Sequence, residues 1–191
     1  ADVSKEVERK KILIKIKQFM GGIDALVNNA GINIRKSTED FTKEDYNQLI
    51  STNLDSVWYL TQGVYPLLIE AGGGSIITIG SIAGQQHIGS GSIYAMTKAA
   101  IEQLMKYIAC EWAIKGIRAN TVLPGYTATP LVQPLIDDSS RFEKIINATP
   151  SGHFAEPHEV ASAVVYLLSP ASSGITGASI PVDGGFLAAG L

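Results

Sequence analysis

Apolar positions along the chain fall into short β-branched runs and longer mixed stretches, and the two kinds alternate. Residues 4–20, SKEVERKKILIKIKQFM, predict a helix: Ser4 stands as its cap, Glu6 suits the first turn, and Gly21-Gly22 stop it. IDALVN, residues 23–28, is a short apolar run of buried-strand type that leads into NNAG. Residues 42–71 predict one long helix, with Thr42 as cap, Gly72-Gly73-Gly74 as stop and Pro66 as the place of a kink. SIITIGS, residues 75–81, is a strand that ends on small residues, and residues 92–115 form a further long helix ending at Gly116. IRANTVLPG, residues 117–125, predicts a strand and a turn, and residues 126–149 an irregular or weakly helical stretch. Residues 157–168 predict a helix with Pro157 at its start, and ASIPVDGG, residues 178–185, a last strand and turn.

Strands alternating with helices predict an α/β protein with a doubly wound parallel sheet between two helical layers. No repeat, low-complexity tract or linker interrupts residues 1–191, which predicts a single domain. In such a sheet ligands lie beyond the carboxyl ends of the strands. Three strand ends here run into small or polar residues: NNAG, GSIAG and PGYTAT. A parallel sheet places all three on one edge, near the start of the helix at 92.

Bulk properties narrow the function classes. Apolar residues make up 46% of the 191 and charged residues 17%, which fits a globular domain and excludes a disordered chain. The net charge of −3 argues against a binder of nucleic-acid backbones. No apolar run reaches the length of a membrane span, and ADVSKEVERKK has no signal-type core. The one cysteine, Cys110, excludes an internal disulfide and fits a cytoplasmic protein. With no base near it in sequence, Cys110 is expected as a packed helix residue. His153 and His158 lack metal-ligand spacing with Cys or carboxylates, so no metal is expected.

The helix at 92 carries the chemistry. In SIYAMTKAA, Tyr94 and Lys98 stand at i and i+4 and share a helix face. Tyrosine titrates near ~10. A protonated lysine beside a phenol favours the phenolate, as acid–base work at neutral pH requires. Ser81 ends the strand that precedes this helix, and Asn53 sits inside an earlier helix where asparagine is a local cost.

With these residues in order, the whole chain resembles the short-chain dehydrogenase/reductase family in its single-domain form. The resemblance rests on Asn28-Asn29-Ala30-Gly31, Asn53, Ser81, Tyr94 with Lys98, Pro124-Gly125 with Thr129, and Ile175-Thr176-Gly177 with Asp183-Gly184-Gly185. STNL, GSIYAMTK and ACEWA look similar to the tropinone-reductase-like branch, and also to bacterial sugar-alcohol and 3-oxoacyl reductases.

The resemblance implies an NAD(P)-dependent oxidoreductase that interconverts a ketone or aldehyde and an alcohol by hydride transfer. Tyr94 would be the acid in reduction and the base in oxidation, and Ser81 would hydrogen-bond the reacting oxygen. Lys98 would lower the Tyr94 pKa and bind the nicotinamide ribose, and Asn53 would hold a relay water. Pro124, Gly125, Thr127 and Thr129 would seat the nicotinamide. Asn28, Ala30 and Gly31 would face the adenosine side, and Asp2 with Val3 would contact adenine. The choice of NAD or NADP stays open. The family also implies a homo-oligomer, dimer or tetramer, built on the helices at 42–71 and 92–115, with the tail GGFLAAGL at an interface.

Three departures stand out. The family's Thr-Gly-x-x-x-Gly-x-Gly loop, which holds the pyrophosphate at a helix N-terminus, does not occur in the 191 residues. The expectation is that the first two βα units are absent, that IDALVN is then an exposed sheet edge, and that the native protein has upstream residues. The 191 residues alone are expected to bind dinucleotide negligibly. Gly80 stands where serine often precedes the catalytic serine. Thr127 stands where the family usually has an aliphatic residue.

Residues 126–150 match the family's substrate-covering loop, and Tyr126, Leu131, Val132, Leu135, Ile136 and Phe142 give it a partly apolar character. His87, six residues after Ser81, is a candidate to meet substrate, against the commoner case of a loop histidine that is simply exposed. Two alternatives remain. A 3-oxoacyl-carrier-protein reductase would show a basic patch at the entrance, where the sequence shows only scattered charges such as Arg35, Lys36 and Arg141. A catalytically inactive fold used as an oligomerisation or interaction module fits the missing loop, while the intact Asn53, Ser81, Tyr94 and Lys98 argue against it.

Overall fold

The computed structural model describes residues 1–189, in which four parallel strands form one sheet in the order β1-β2-β3-β4. The strands are β1 (Ala25–Asn28), β2 (Gly74–Ile79), β3 (Ile117–Pro124) and β4 (Ser179–Val182). Leu26 pairs with Ile76, Ile76 with Ala119, and Val122 with Ile180. The fold is Rossmann-like, an α/β arrangement of three layers.

One face of the sheet packs on α3 (Ser56–Glu70) and α4 (Ser92–Trp112) through Ile76, Ile117, Ala119, Leu68, Ile101 and Met105. Side chains alternate across a strand. The neighbouring positions Ile77 and Val122 therefore face the other way, onto Leu167 of α7 (Pro157–Leu168). Ile76, Ile77, Ile101 and Leu68 have no exposed surface, and burial of each contributes about 1.5–3 kcal/mol. Outside the first layer lies α1 (Glu6–Met20), with Leu13 and Ile16 against the same core. β1 pairs on one side only, and its Val27 is 40% exposed.

Several expectations change on folding. Ser4 does not cap α1; its hydroxyl bonds Asp2 instead, and Lys5 holds the cap position with no side-chain bond. The helix expected over 42–71 is α2 (Lys43–Ile50), a π-helical stretch Ser51–Asp55, and α3. Thr42 does cap it, in a reciprocal box with Asp45. Its backbone irregularity thus falls around Asn53, and Pro66 lies within the regular part of α3. The stretch after β3 is more ordered than its composition suggested, forming α5 (Gln133–Ile136) and α6 (Ser139–Ala148), the latter capped by Asp138. Cys110 is exposed rather than packed.

The late motifs are structural ties. Asn120 binds the Ile175 carbonyl and the Ala178 N–H, and Thr176 accepts from the Ala119 N–H, so β4 is stitched to β3 by side chains. A Cβ on Gly125 would fall 2.8 Å from the Asp183 Cα, so only glycine lets the PG turn touch the DGG turn. Asp183 in turn accepts from the N–H groups of Gly185 and Leu187. Of the tail expected at an interface between copies, Phe186 packs edge-on against Tyr126, while Gly190 and Leu191 lie outside the described residues.

Candidate active site

The carboxyl ends of β1, β2 and β3 and the first turn of α4 enclose a cavity of about 360 Å³. Its walls include Gly31, Ser81, Tyr94, Lys98, Pro124, Gly125, Thr127 and Thr129. The strand ends converge because the sheet is parallel; residues far apart in sequence meet on one edge.

Gly80 lets β2 end where it does. A Cβ there would lie 2.6 Å from Leu123 Cδ2 and 2.8 Å from Thr121 Cγ2, so this departure from the family pattern has a packing reason. Ser81 follows in extended backbone, buried, its Oγ accepting from the Ala83 N–H at 3.1 Å. Tyr94 lies one turn into α4 with its phenol close to Ser81. Burial raises the Tyr94 pKa, while the hydrogen bond with Ser81 and then the charge of Arg35 oppose the rise. Lys98 Nζ stands 5.5 Å from the centre of the Tyr94 ring and donates to the Ile79 carbonyl at 2.8 Å. Burial pushes the lysine down to about 8, so its charge titrates just above neutrality.

Asn53 is a clamp. Its Oδ1 accepts from the Ile32 N–H and its Nδ2 donates to the Ile32 carbonyl, both at 2.9 Å. Nδ2 also reaches Thr97 Oγ1 at 3.5 Å, and Thr97 donates to the Tyr94 carbonyl at 2.7 Å. The π-helical stretch turns Asn53 inward, which ties the loop after β1 to the helix that bears Tyr94 and Lys98.

The donor set fits the ribose end of a nicotinamide dinucleotide. Lys98 has one acceptor on the protein and two N–H groups remaining. A Cβ built on Gly31 would lie 3.5 Å from Asn53 Oδ1 and 3.6 Å from Lys98 Nζ, so both groups converge on the space beside that glycine. Asn33 adds a buried Oδ1 with no partner on the cavity wall.

Other expected residues stand elsewhere. Asn28 is buried and donates to Thr61 and Thr78, tying α3 to the sheet without lining the cavity. Ala30 is exposed outside that wall, whereas Asn29, absent from the expected set, lines it. Asp2 binds Ser4, and the Val3 carbonyl accepts from Arg9; neither reaches the cavity. Thr127 Oγ1 bonds the Gly125 carbonyl and Thr129 Oγ1 the Thr127 carbonyl, which stiffens the turn after β3.

Sequence reading also missed Arg35, Ile88 and Ser90 as cavity residues. Arg35 lies only four positions after Gly31, and that proximity was the one available signal. His87, exposed, lines a flanking cleft of about 450 Å³ rather than the cavity itself. Tyr126, on the cavity wall, meets Phe154 at a tilt with 5.8 Å between ring centres, and Phe142 meets Phe154 edge-on at 5.3 Å.

The parallel sheet and the cavity at its strand ends define an α/β protein with a ligand site at the carboxyl edge, and comparison with known proteins gives its family. A family model described as enoyl-(acyl carrier protein) reductase matches residues 1–187. A tropinone reductase homolog of Arabidopsis thaliana is 45% identical over 186 residues, covering 97% of this chain and 70% of that protein. A gluconate 5-dehydrogenase from Burkholderia cenocepacia J2315, solved with NADP and tartrate, superposes with a TM-score of 0.94 at 34% identity, over 98% of this chain and 74% of its own. A 7α-hydroxysteroid dehydrogenase, solved with NADH and 7-oxo glycochenodeoxycholic acid, gives 0.91 at 31% identity, over 97% and 73%. The chain belongs to the short-chain dehydrogenase/reductase family, whose members are NAD(P)-dependent oxidoreductases.

Proposed function

We propose that the protein interconverts a ketone or aldehyde and the corresponding alcohol, with Tyr94 as acid and base. The observation that carries this is that Tyr94, Ser81 and Lys98 line one cavity between the strand ends, with Tyr126, Leu131 and Val132 of the segment after β3 on its wall. NAD or NADP supplies the hydride. In reduction Tyr94 gives its phenolic proton to the carbonyl oxygen as that oxygen gains charge, and Ser81 Oγ–H donates to the same oxygen. Lys98 holds the ribose hydroxyls with its two remaining N–H groups. Asn53 positions the wall around Ile32, and the second lone pair of its Oδ1 accepts the water that passes protons to Lys98. Pro124, Gly125, Thr127 and Thr129 seat the nicotinamide. Asn28, Ala30 and Gly31 face the adenosine side and Asp2 with Val3 meets adenine; of these, Gly31 also lines the catalytic cavity.

Two further parts of the proposal rest on surface chemistry. Trp58, Tyr59, Met96 and Tyr107 on α3 and α4 are 47–61% exposed, which supports pairing of copies through these helices. Sedimentation of a monomer at micromolar concentration would count against it. The free Cys110 suits a reducing compartment such as the cytoplasm.

The test of the reaction is a carbonyl panel with NADH and NADPH, run on the full-length protein and on its Tyr94→Phe variant. The expected loss is about 10³-fold in turnover with unchanged circular dichroism. Equal rates would remove Tyr94 from the mechanism.

A further inference from the structure

The catalytic cavity has one wall that the reaction does not use. Arg35, partly buried in the loop after β1, lines the cavity and also the two clefts beside it, of about 450 and 300 Å³. Its Nη1 donates to the Leu131 carbonyl at 3.1 Å, which spans from the β1 loop to the segment over the cavity. Among the described residues this is its one hydrogen bond, and no carboxylate lies within 4.0 Å of it. Four guanidinium N–H donors remain.

The surroundings share its sign. Lys36, Lys98, Arg141 and Lys144 line the same three spaces, and no aspartate or glutamate does. Lys36 is neutralised by Asp45 and Arg141 by Asp138, leaving Arg35, Lys98 and Lys144 without a carboxylate among the described residues. The charge of Arg35 bears on the hydroxyls of both Tyr94 and Tyr126, so it stands within reach of the reacting position. A partly buried cation with spare donors and no counter-charge is costly unless a bound anion completes it. A carboxylate accepts two parallel bonds from a guanidinium and matches this fork.

We infer that the substrate is an oxo acid or hydroxy acid, whose carboxylate binds Arg35 while its carbonyl or hydroxyl carbon meets Tyr94. This rests on the reading of the cavity as the ketone-reducing site. An acidic carrier protein is a poorer fit, because Arg35 lines the cavity together with Tyr94, whereas Arg141 and Lys144 line only the clefts beside it.

The test compares 3-oxocyclohexanecarboxylate with its neutral carboxamide. Two readouts are used: turnover with NADPH or NADH, and saturation-transfer NMR binding without dinucleotide. The expected result is a 10- to 100-fold preference for the acid in kcat/KM. That preference collapses towards one in Arg35→Gln, is partly kept in Arg35→Lys, and is mirrored in binding. Circular dichroism checks that the variants fold. Equal handling of acid and amide by the wild type overturns the inference, as does a preference that survives Arg35→Gln. So does a preference for a carrier-linked 3-oxoacyl thioester that depends on Arg141 and Lys144 alone. Selective binding of the acid without Tyr94-dependent turnover would sink the ketone-reducing reading and leave the anion site standing.

Discussion

The wall and the roof of the cavity are built by opposite means. The wall is made of strand ends and α4, with Ser81, Thr97, Lys98 and Asn53 buried and bonded to backbone. The roof, residues 126–156, is made of short helices and aromatic contacts, with Phe142 37% exposed and Leu131 40% exposed. A buried polar clamp has one geometry, because breaking it strands unpaired groups. Aromatic and aliphatic contacts have broad minima and tolerate rearrangement. The wall thus suits the invariant chemistry of proton transfer, and the roof suits admission and choice of substrate.

The contrast is tested most severely at Asn53. Asn53→Ala leaves both the N–H and the carbonyl of Ile32 without partners, and the expected loss of stability is about 3 kcal/mol. Urea unfolding measures it; a loss under about 1 kcal/mol would show that the clamp is dispensable.

Lys98 sharpens the comparison through pH. Its folded pKa of about 8 lies below the ordinary 10.5, so between those values the unfolded chain binds the extra proton. The burial penalty is present below pH 8 and disappears as pH rises towards 10.5, so this group makes the protein more stable with rising pH. Tyr94, with its pKa raised, acts in the opposite sense above its ordinary 10.0. The difference between wild type and Lys98→Met isolates the lysine. From about pH 7 to about pH 9.5 the wild type should gain on the order of 2 kcal/mol relative to the variant. Parallel pH curves would place the lysine in water.

The smallest effect belongs to the roof. Phe142→Ala removes the edge-on contact with Phe154, and stability should fall by about 1 kcal/mol or less. The Michaelis constant should rise about fivefold while turnover at saturation holds. A collapse of turnover instead would mean that the roof aligns the reacting atoms.

Much of the wall was legible in the chain. Tyr94 and Lys98 share a helix face by spacing alone, and Ser81 ends a clearly β-branched run. The role of Asn53 was only half legible: its cost in a helix was visible, but the π-helical stretch that turns it onto Ile32 was not. Asn28 shows the limit of motif reading, since its buried amide serves Thr61 and Thr78 while its neighbour Asn29 lines the cavity. Gly125 read as a turn glycine and Gly80 as a departure from the family's usual serine, yet each is required by a strand or turn from a distant part of the chain. The roof was least legible, because α5 is a single turn of four residues and α6, though amphipathic, buries no residue fully.

By itself the sequence determined the alternation of strands and helices, the capped starts of α2 and α7, and the acid–base pair on α4, because these depend on neighbours within a few positions. Tertiary structure alone decided that Arg35 and Tyr126 would share one cavity with Tyr94, with Lys144 in the cleft beside it, and that no carboxylate among the described residues would line either space. Charges scattered along a chain carry no field of their own; the field exists only once a parallel sheet brings its strand ends to a common edge.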